Sequence, residues 1–123
     1  MKKKKTTNSE LLKKIVVEAI LDTKAEEVVE LDLRNISDSV ADFFLICHGN
    51  NTTQVSGIAD AVYKTVKEET GQTPQGQEGK ANAQWVILDY FDVVVHIFYK
   101  ETRQYYQLEE LWSDAIAIEH ETV

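Results

Sequence analysis

The chain has 123 residues, of which 43% are hydrophobic and 28% charged, a size and composition that predict one globular domain and argue against global disorder. The net charge is −8 at pH 7, although Lys2–Lys5 carry four of the 13 basic residues and residues 6–123 hold all 21 acidic ones. A domain this acidic repels phosphate backbones, so we expect no DNA partner and at most peripheral contact with RNA. The same charge favours a basic protein partner.

Targeting and redox features predict a cytoplasmic protein. Polar residues follow Lys2–Lys5 without the apolar region of a secretory signal, and no apolar run reaches the roughly 18 residues that span a bilayer. Cys47 is the single cysteine, so no internal disulfide can form and a reducing compartment is expected. We predict a flexible basic tail over residues 1–8, one domain over 9–115 and a frayed tail over 116–123.

The first half of the chain predicts a helix, two strands and a second helix. Thr7 and Glu10 have the spacing of a capping box, which would begin the first helix. The elements follow in this order: an amphipathic helix with its apolar stripe over residues 11–20, a strand over 28–33, a polar loop over 34–42, a doubly buried strand over 43–47, and a helix from Thr52 to Gly71. A right-handed βαβ crossover is the default topology for this order.

The second half predicts a hairpin and a final helix. A weak edge strand is possible over residues 74–78, and two strong strands, Trp85–Asp89 and Asp92–Tyr99, flank a turn. The final helix has one apolar face, formed by Tyr105, Leu108, Leu111, Trp112 and Ala115. Together these elements predict an α/β (α+β) fold, a mixed sheet of about five strands with flanking helices.

Three groups of residues could suggest catalysis, and each has a plainer explanation. Asp89 and Asp92 flank the turn, but Asp92 and His96 lie roughly 13 Å apart along a strand, too far to ligate one metal ion. Cys47 lies in an apolar strand, which favours a buried structural thiol. The run His-Gly-Asn-Asn over residues 48–51 is better explained by helix capping than by anion binding. We therefore predict no catalytic residue, no metal and no cofactor.

The aromatic residues of the hairpin indicate a binding surface instead. Trp85 begins a strand, and on the sequence alone a core position and an interface position are equally open for it. Tyr90 and Phe91 occupy the turn, where we expect exposed side chains because the tips of turns seldom reach a core. Tryptophan and tyrosine are enriched at interface hot spots, so the segment from Trp85 to Tyr99 is the predicted working surface.

Several stretches carry a family likeness, in order along residues 9–113. The longest reads Trp-Val-Ile-Leu-Asp-Tyr-Phe-Asp-Val-Val-Val-His-Ile-Phe over residues 85–98, and the others cover residues 42–50, 54–55, 58–60, 78–79, 103–106 and 108–112. Together they closely resemble the motifs of the ribosomal silencing factors, also called the Iojap-like family. The resemblance implies a fold related to nucleotidyltransferases but without their catalytic motifs, and therefore not an enzyme.

The resemblance also implies a function and partners. A member of this family is expected to bind the large ribosomal subunit through ribosomal protein L-fourteen. There it would sterically block association with the small subunit under nutrient limitation, which makes it a translational repressor. Free members often pair as homodimers through a surface that overlaps the docking site.

Carried over by motif, the docking surface includes Trp85 and Tyr90, with Asp89 and Asp92 near its rim. Phe91 joins this group as a departure, because the family usually has glycine there and small hairpins favour glycine. We expect Phe91 to strain the turn, to shift it to another type or to add an apolar contact.

Two other functions stay open at this point. One is a degenerate nucleotidyltransferase-like enzyme that uses Asp89 and Asp92, and the other is a dimerising adaptor with a non-ribosomal partner. His48 is a second departure from the family, in which serine is commoner before the loop glycine, and it leaves the detailed role of that loop open.

Overall fold

Six strands and four helices follow one another along residues 8–121, the part of the chain that this computed structural model describes. In chain order they are α1 (Ser9–Asp22), β1 (Glu26–Asp32), β2 (Phe43–Gly49), α2 (Thr52–Thr70), β3 (Gly76–Glu78), β4 (Trp85–Asp89), β5 (Val93–Tyr99), α3 (Lys100–Tyr106), α4 (Leu108–Leu111) and β6 (Ile116–His120). The predicted mixed α/β fold is confirmed, with six strands where about five were expected. No helix within residues 8–121 combines the length and the apolar character needed to cross a bilayer.

The strands form one mixed sheet in the order β3-β4-β5-β2-β1-β6. β2 and β5 pair in parallel at its centre, and every other neighbouring pair is antiparallel. All of β2 and nearly all of β5 is buried, as a strand with both faces covered requires. α2 leads from β2 to the edge strand β3, so the parallel neighbour of β2 is β5, reached only after the β4–β5 hairpin.

The two faces of the sheet are covered differently. α1 and α2 pack on one face, here called the helix face, where alternate residues of β2, β4 and β5 point into an aliphatic core. The opposite face, here called the open face, carries Phe44, Ile46, Val94 and Phe98, and within residues 8–121 its cover consists of the short helices α3 and α4 and the loop after β1. Trp85 and Ile87 lie on this open face and stay half-buried.

Short polar residues begin the two long helices. Asn8 caps α1, because its Oδ1 accepts a hydrogen bond from the Leu11 N–H at 2.8 Å. Thr7, the predicted cap, lies outside the described residues. Asn51 caps α2 in the same way, which agrees with the capping interpretation of residues 48–51. Asn8 is therefore part of the domain and not of the tail predicted over residues 1–8.

The predicted frayed C-terminal tail is wrong for residues 116–120. These residues form β6, which pairs antiparallel with β1 along its whole length. His120 Nε2 also lies 2.9 Å from Oε1 of Glu30, a nearly buried carboxylate of β1 that is 3.1 Å from Lys13 Nζ. The ladder and this side-chain contact hold a segment whose sequence looks too short and too exposed to be ordered on its own.

The prediction of a single final helix is also wrong. α3 ends at Tyr106, because the following Gln107 has a left-handed φ of 48°, and α4 starts a new turn directly after Gln107. The break directs Tyr105 and Leu111 outwards, with 81% and 75% of each exposed, while Leu108 stays buried. The predicted apolar face spans the break between α3 and α4. The periodicity of apolar residues does not reveal such a change of chain direction.

Candidate docking surface

β4 has the alternating burial of a strand with one covered face and one partly exposed face. Val86 and Leu88 are buried on the helix face, whereas Trp85, Ile87 and Asp89 are half-buried on the open face. Trp85 is thus neither a sealed core residue nor a free one. Its ring covers part of the open face, and the rest of the ring is accessible to solvent. A fully buried core position is therefore wrong, and the interface position stays a prediction.

An aromatic cluster surrounds Trp85. The Trp85 ring stacks on the ring of Phe98 of β5 with 4.8 Å between centroids. The centroid of the Tyr106 ring of α3 lies 4.9 Å from that of Trp85. Tyr106 is 51% exposed, and it contacts Tyr105 edge to face at 5.0 Å. We call the accessible residues Trp85, Ile87, Tyr105 and Tyr106 the aromatic surface.

Two carboxylates border the aromatic surface, one on β3 and one at the hairpin end of β4. Glu78 of β3 stands opposite Ile87 in the antiparallel ladder, so its side chain points to the same face. Asp89 follows two residues after Ile87 on that face. The aromatic surface therefore has an acidic edge.

His96 lies beneath the cluster on β5 and is 6% exposed. Its Nδ1 accepts a hydrogen bond from Trp85 Nε1–H at 3.2 Å, and its ring contacts Phe44 at 4.6 Å between centroids. Burial in these apolar surroundings lowers the pKa of His96 to about 4, against a smaller opposing effect of Asp89. The imidazole is therefore neutral at physiological pH.

Arg103 fastens α3 and α4 to the end of the sheet. Its Nη1 donates to the Glu27 carbonyl at 2.7 Å and lies 2.9 Å from His48 Nδ1, and its Nη2 donates to Glu109 Oε2 at 2.7 Å. A guanidinium always donates, so His48 Nδ1 is the acceptor. Burial first, and then the charge of Arg103, lower the pKa of His48. Arg103 thereby sets the position of the helix that carries Tyr105 and Tyr106.

The hairpin tip differs from its prediction at Tyr90. The tyrosine is 5% exposed and belongs to the helix-face core, so the predicted exposure is wrong. Its N–H bonds to the Val93 carbonyl at 2.9 Å, which continues the strand alternation through this position and turns the side chain away from Trp85. Burial raises the pKa of Tyr90 to about 12. Tyr90 and Trp85 thus lie on opposite faces of the sheet.

The other three predicted residues shape the turn. Phe91 is 67% exposed and has a φ of 75°, a conformation that a bulky side chain rarely adopts. Asp89 Oδ1 accepts the Phe91 N–H at 2.8 Å and so supports that strained residue. The Asp92 carbonyl accepts the N–H groups of Asp42 and Phe43 at 2.8 and 3.1 Å, which ties the tip to the start of β2.

The structure places Trp85 and Asp89 on the open face at opposite ends of β4, leaves Phe91 and Asp92 exposed at the tip, and places Tyr90 on the other face. Tyr105 and Tyr106 are the residues that sequence reasoning missed. Their signal was present in the motif over residues 103–106, but the predicted helix placed Tyr105 on a buried face.

Other reactive groups do not converge on a site. Among residues 8–121 no group of three or more His, Cys, Asp or Glu residues is placed to hold a metal ion. Cys47 is fully buried, and this burial raises the pKa of its thiol to about 12, so the thiolate is disfavoured. The interpretation of Cys47 as a buried structural thiol is confirmed.

Comparison with known proteins decides the family. The family model described as ribosomal silencing factor during starvation, RsfS, matches residues 5–123. The chain belongs to the ribosomal silencing factor family. The resemblance read from the motifs is thereby confirmed, and with it a role in ribosome silencing and translation regulation.

Relatives in several organisms agree with this assignment. The chain is 50% identical over 117 residues to the ribosomal silencing factor RsfS of Halalkalibacterium halodurans, covering 95% of this chain and 97% of that protein. It is 46% identical over 108 residues to the same factor of Bacillus subtilis, with 88% and 90% covered. It also matches the mitochondrial Iojap-related protein of Arabidopsis thaliana at 34% identity, over 85% of this chain and 59% of that protein.

Solved structures share the fold. A crystal structure of a Chromobacterium violaceum protein superimposes with a TM-score of 0.81 at 31% identity, covering 87% of this chain and 88% of that one. A second, from Bacillus halodurans, gives a TM-score of 0.77 at 46% identity, with 92% and 100% covered.

Proposed function

We propose that the chain silences translation by binding the large ribosomal subunit through ribosomal protein L-fourteen, and that it sterically blocks the joining of the small subunit under nutrient limitation. Family membership supports the ribosomal role, and the motif resemblance suggests the partner. We place the protein in the cytoplasm, where ribosomal subunits associate.

The observation that carries the proposal is the aromatic surface on the open face. Trp85 and Tyr106 present large rings that are only partly covered, whereas α1 and α2 bury the residues of β2, β4 and β5 that point to the other side of the sheet. Aromatic side chains on an otherwise ordered surface are the commonest anchors of protein interfaces. We assign them as the centre of the docking surface.

Charge favours a basic partner at this place. Glu78 and Asp89 border the aromatic surface, and the whole chain carries a net charge of −8. Complementary charge at the rim of an interface accelerates association and disfavours RNA as a wrong partner. We assign Asp89, Asp92 and Phe91 to the rim of the docking surface. Tyr90 is buried on the opposite face, so we assign Tyr106, and not Tyr90, to the centre of this surface.

The first experiment follows ribosomal subunits by sucrose-gradient sedimentation with and without the protein. The parent should cosediment with isolated large subunits and reduce the fraction of joined ribosomes. Trp85→Ala and Tyr106→Ala should each weaken binding by about 2 kcal/mol, or about thirtyfold in Kd, if they are hot spots.

Leu11→Ala is the matched control. Leu11 is also an exposed apolar residue, 48% accessible, but it lies on α1, away from the open face. This variant should bind and inhibit like the parent. Equal binding by the parent and both aromatic variants would reject the docking surface, and failure of the parent to bind large subunits would reject the function, leaving a non-ribosomal adaptor.

A charge reversal tests the acidic edge. Glu78→Lys should slow association with the large subunit, and the effect should shrink at high salt because screening removes long-range attraction. Glu68→Lys makes the same change of charge on an exposed position of α2 and should have little effect on the rate. Equal slowing by both variants would show that only net charge matters.

We also propose that the free protein pairs as a homodimer through the aromatic surface, which would make pairing and docking compete. Sedimentation velocity over a range of concentrations should show dimers of the parent, and Tyr106→Ala should shift the equilibrium to monomers. A dimer that Tyr106→Ala leaves intact would place the contact elsewhere.

We propose that the chain is not an enzyme. Asp89 supports the turn by accepting the Phe91 N–H, and within the described residues it belongs to no group of side chains that could hold a metal ion. Millimolar nucleotide with Mg²⁺ should therefore not raise Tm, whereas a bound nucleotide would stabilise the folded state. A reproducible rise would favour the nucleotidyltransferase-like alternative.

A further inference from the structure

The hydrogen bond between Trp85 and His96 joins the proposed docking surface to the buried sheet. Trp85 is paired with Phe98 across the β4–β5 ladder, so His96 is its diagonal neighbour on the same face. The indole Nε1–H points down to His96 Nδ1 at 3.2 Å. The indole of Trp85 is therefore held by His96 at its N–H edge and by Phe98 at one face of the ring.

This bond fixes the protonation of His96. An indole has a single hydrogen-bonding group and can only donate, so His96 Nδ1 must carry a lone pair and the neutral ring has its proton on Nε2. Phe44 and Phe98 flank the imidazole, at 4.6 and 6.5 Å between centroids, and exclude the polar surroundings that a charged ring would need. The acceptor for Trp85 is thus maintained at physiological pH.

The bond also determines what Trp85 can offer to a partner. Because its N–H is already used inside the protein, its accessible part consists of ring carbon and the π-face alone. An indole placed the other way would present a donor for a carbonyl of the partner. A hydrogen-bond acceptor opposite Trp85 would find no donor there, so an apolar group that packs on the ring carbons fits this position, and the acidic edge at Glu78 and Asp89 suits basic groups around it.

The geometry points to His96 as the positioning residue of the docking surface: it holds the indole of Trp85 with its N–H edge inward, so that the exposed hydrocarbon edge fits an apolar site on a basic ribosomal protein. His96 does not contact the partner, because it is 6% exposed and lies beneath the aromatic residues. The inference rests on the proposed function, since it assumes that this face is the one that docks.

A pair of substitutions separates positioning from packing. His96→Asn keeps an acceptor near the place of Nδ1, whereas His96→Leu has a similar volume and no acceptor. In the free protein, the indole N–H of Trp85 is followed by NMR and assigned with Trp85→Phe, since Trp112 is the other tryptophan. We expect slow exchange of this proton with solvent in the parent and in His96→Asn, and fast exchange in His96→Leu.

Affinity for large subunits is then measured with the same proteins. Loss of one orienting hydrogen bond should weaken binding by His96→Leu about tenfold, whereas His96→Asn should stay within about threefold of the parent. Val95→Ala serves as a control, because Val95 is fully buried on the helix face and its truncation lowers Tm without touching Trp85. It should bind normally at a temperature where it is folded.

Each outcome decides the inference. Slow exchange in His96→Leu, or fast exchange with unchanged affinity, would overturn it and leave the proposed function intact. Failure of the proposed function would appear instead as failure of the parent to bind large subunits, and equal binding by the parent and Trp85→Ala would reject the docking surface, whatever the exchange rates are. If His96→Leu does not fold, His96→Gln replaces it, because its longer side chain carries the acceptor away from the indole and should also give fast exchange and weaker binding.

Discussion

The helix face and the open face of the same sheet are built from different side chains and are sealed to different degrees. On the helix face, aliphatic residues of β2 and β5 meet two long helices, and nearly all of them are fully buried. On the open face, aromatic rings pack among aliphatic residues, and the short α3 and α4 leave Trp85 and Tyr106 partly accessible. Because each additional buried apolar group adds to the free energy of folding, the helix face should dominate stability. The open face should dominate binding.

Tyr90 gives the strongest test of this division, because the family motif suggested a docking role and the structure places it in the helix-face core. Truncation in Tyr90→Ala should lower the free energy of unfolding by about 4 kcal/mol, the usual cost of removing a buried aromatic ring. Urea denaturation measures this loss. The folded fraction should still bind large subunits with the affinity of the parent.

Tyr90→Phe is the matched control. Among residues 8–121 the buried hydroxyl of Tyr90 has no hydrogen-bond partner, so its removal should change stability by less than about 1 kcal/mol. A selective loss of binding in either variant, without loss of stability, would return Tyr90 to the docking surface.

Arg103 tests how the open face keeps its cover. Arg103→Met retains much of the apolar stem but leaves the Glu27 carbonyl, His48 Nδ1 and Glu109 without their charged donor. Stability should fall by about 3 kcal/mol, as for other broken buried charge contacts. Exchange of backbone amides in α3 should increase more than in α1. Equal increases in both helices would mean that Arg103 stabilises the whole domain and not this cover.

Acidification should destabilise the open face through its buried histidines. The ordinary pKa of His96 is 6.5 and its folded value is about 4, so the unfolded state binds a proton that the folded state excludes between these values. Stability is therefore complete above pH 6.5 and falls as the pH decreases towards 4. His96 alone should account for about 2 kcal/mol between pH 6.5 and 5.

His48, whose pKa is also lowered, adds a loss of the same sign. Urea denaturation at several pH values measures the slope. His96→Asn removes one of the two groups and should give a shallower dependence. An unchanged slope would contradict the neutral, buried state assigned to His96.

Phe91 should give the smallest change, and with the opposite sign. Glycine tolerates the φ of 75° that strains Phe91, and the exposed ring contributes little burial, so Phe91→Gly should raise stability by about 1 kcal/mol. Phe91→Ala keeps the strain and should show no such gain. Weaker docking by both variants would assign Phe91 an apolar contact with the partner, whereas unchanged docking would confine the binding surface to the open face.

The local signals in the sequence were sufficient for much of the fold. A continuous apolar run identified β2 as a doubly buried strand, strong strand signals identified β4 and β5, and Thr52 and Gly71 marked the limits of α2. These features depend on neighbours within a few residues, so periodicity and capping rules reach them. The family motifs rest on the same contiguous stretches, which is why the ribosomal role was also accessible from the sequence.

Tertiary structure alone decided the features that depend on distant partners. β6 exists because β1 and Glu30 hold it, and α3 is fixed where Arg103 contacts the Glu27 carbonyl of β1 and His48. Tyr90 followed the alternation of its strand into the core, while Tyr106 came to the surface beside Trp85. Residue type marked the aromatic side chains as candidates, but only the packing of two helices on one face of the sheet determined which of them remained available for a partner.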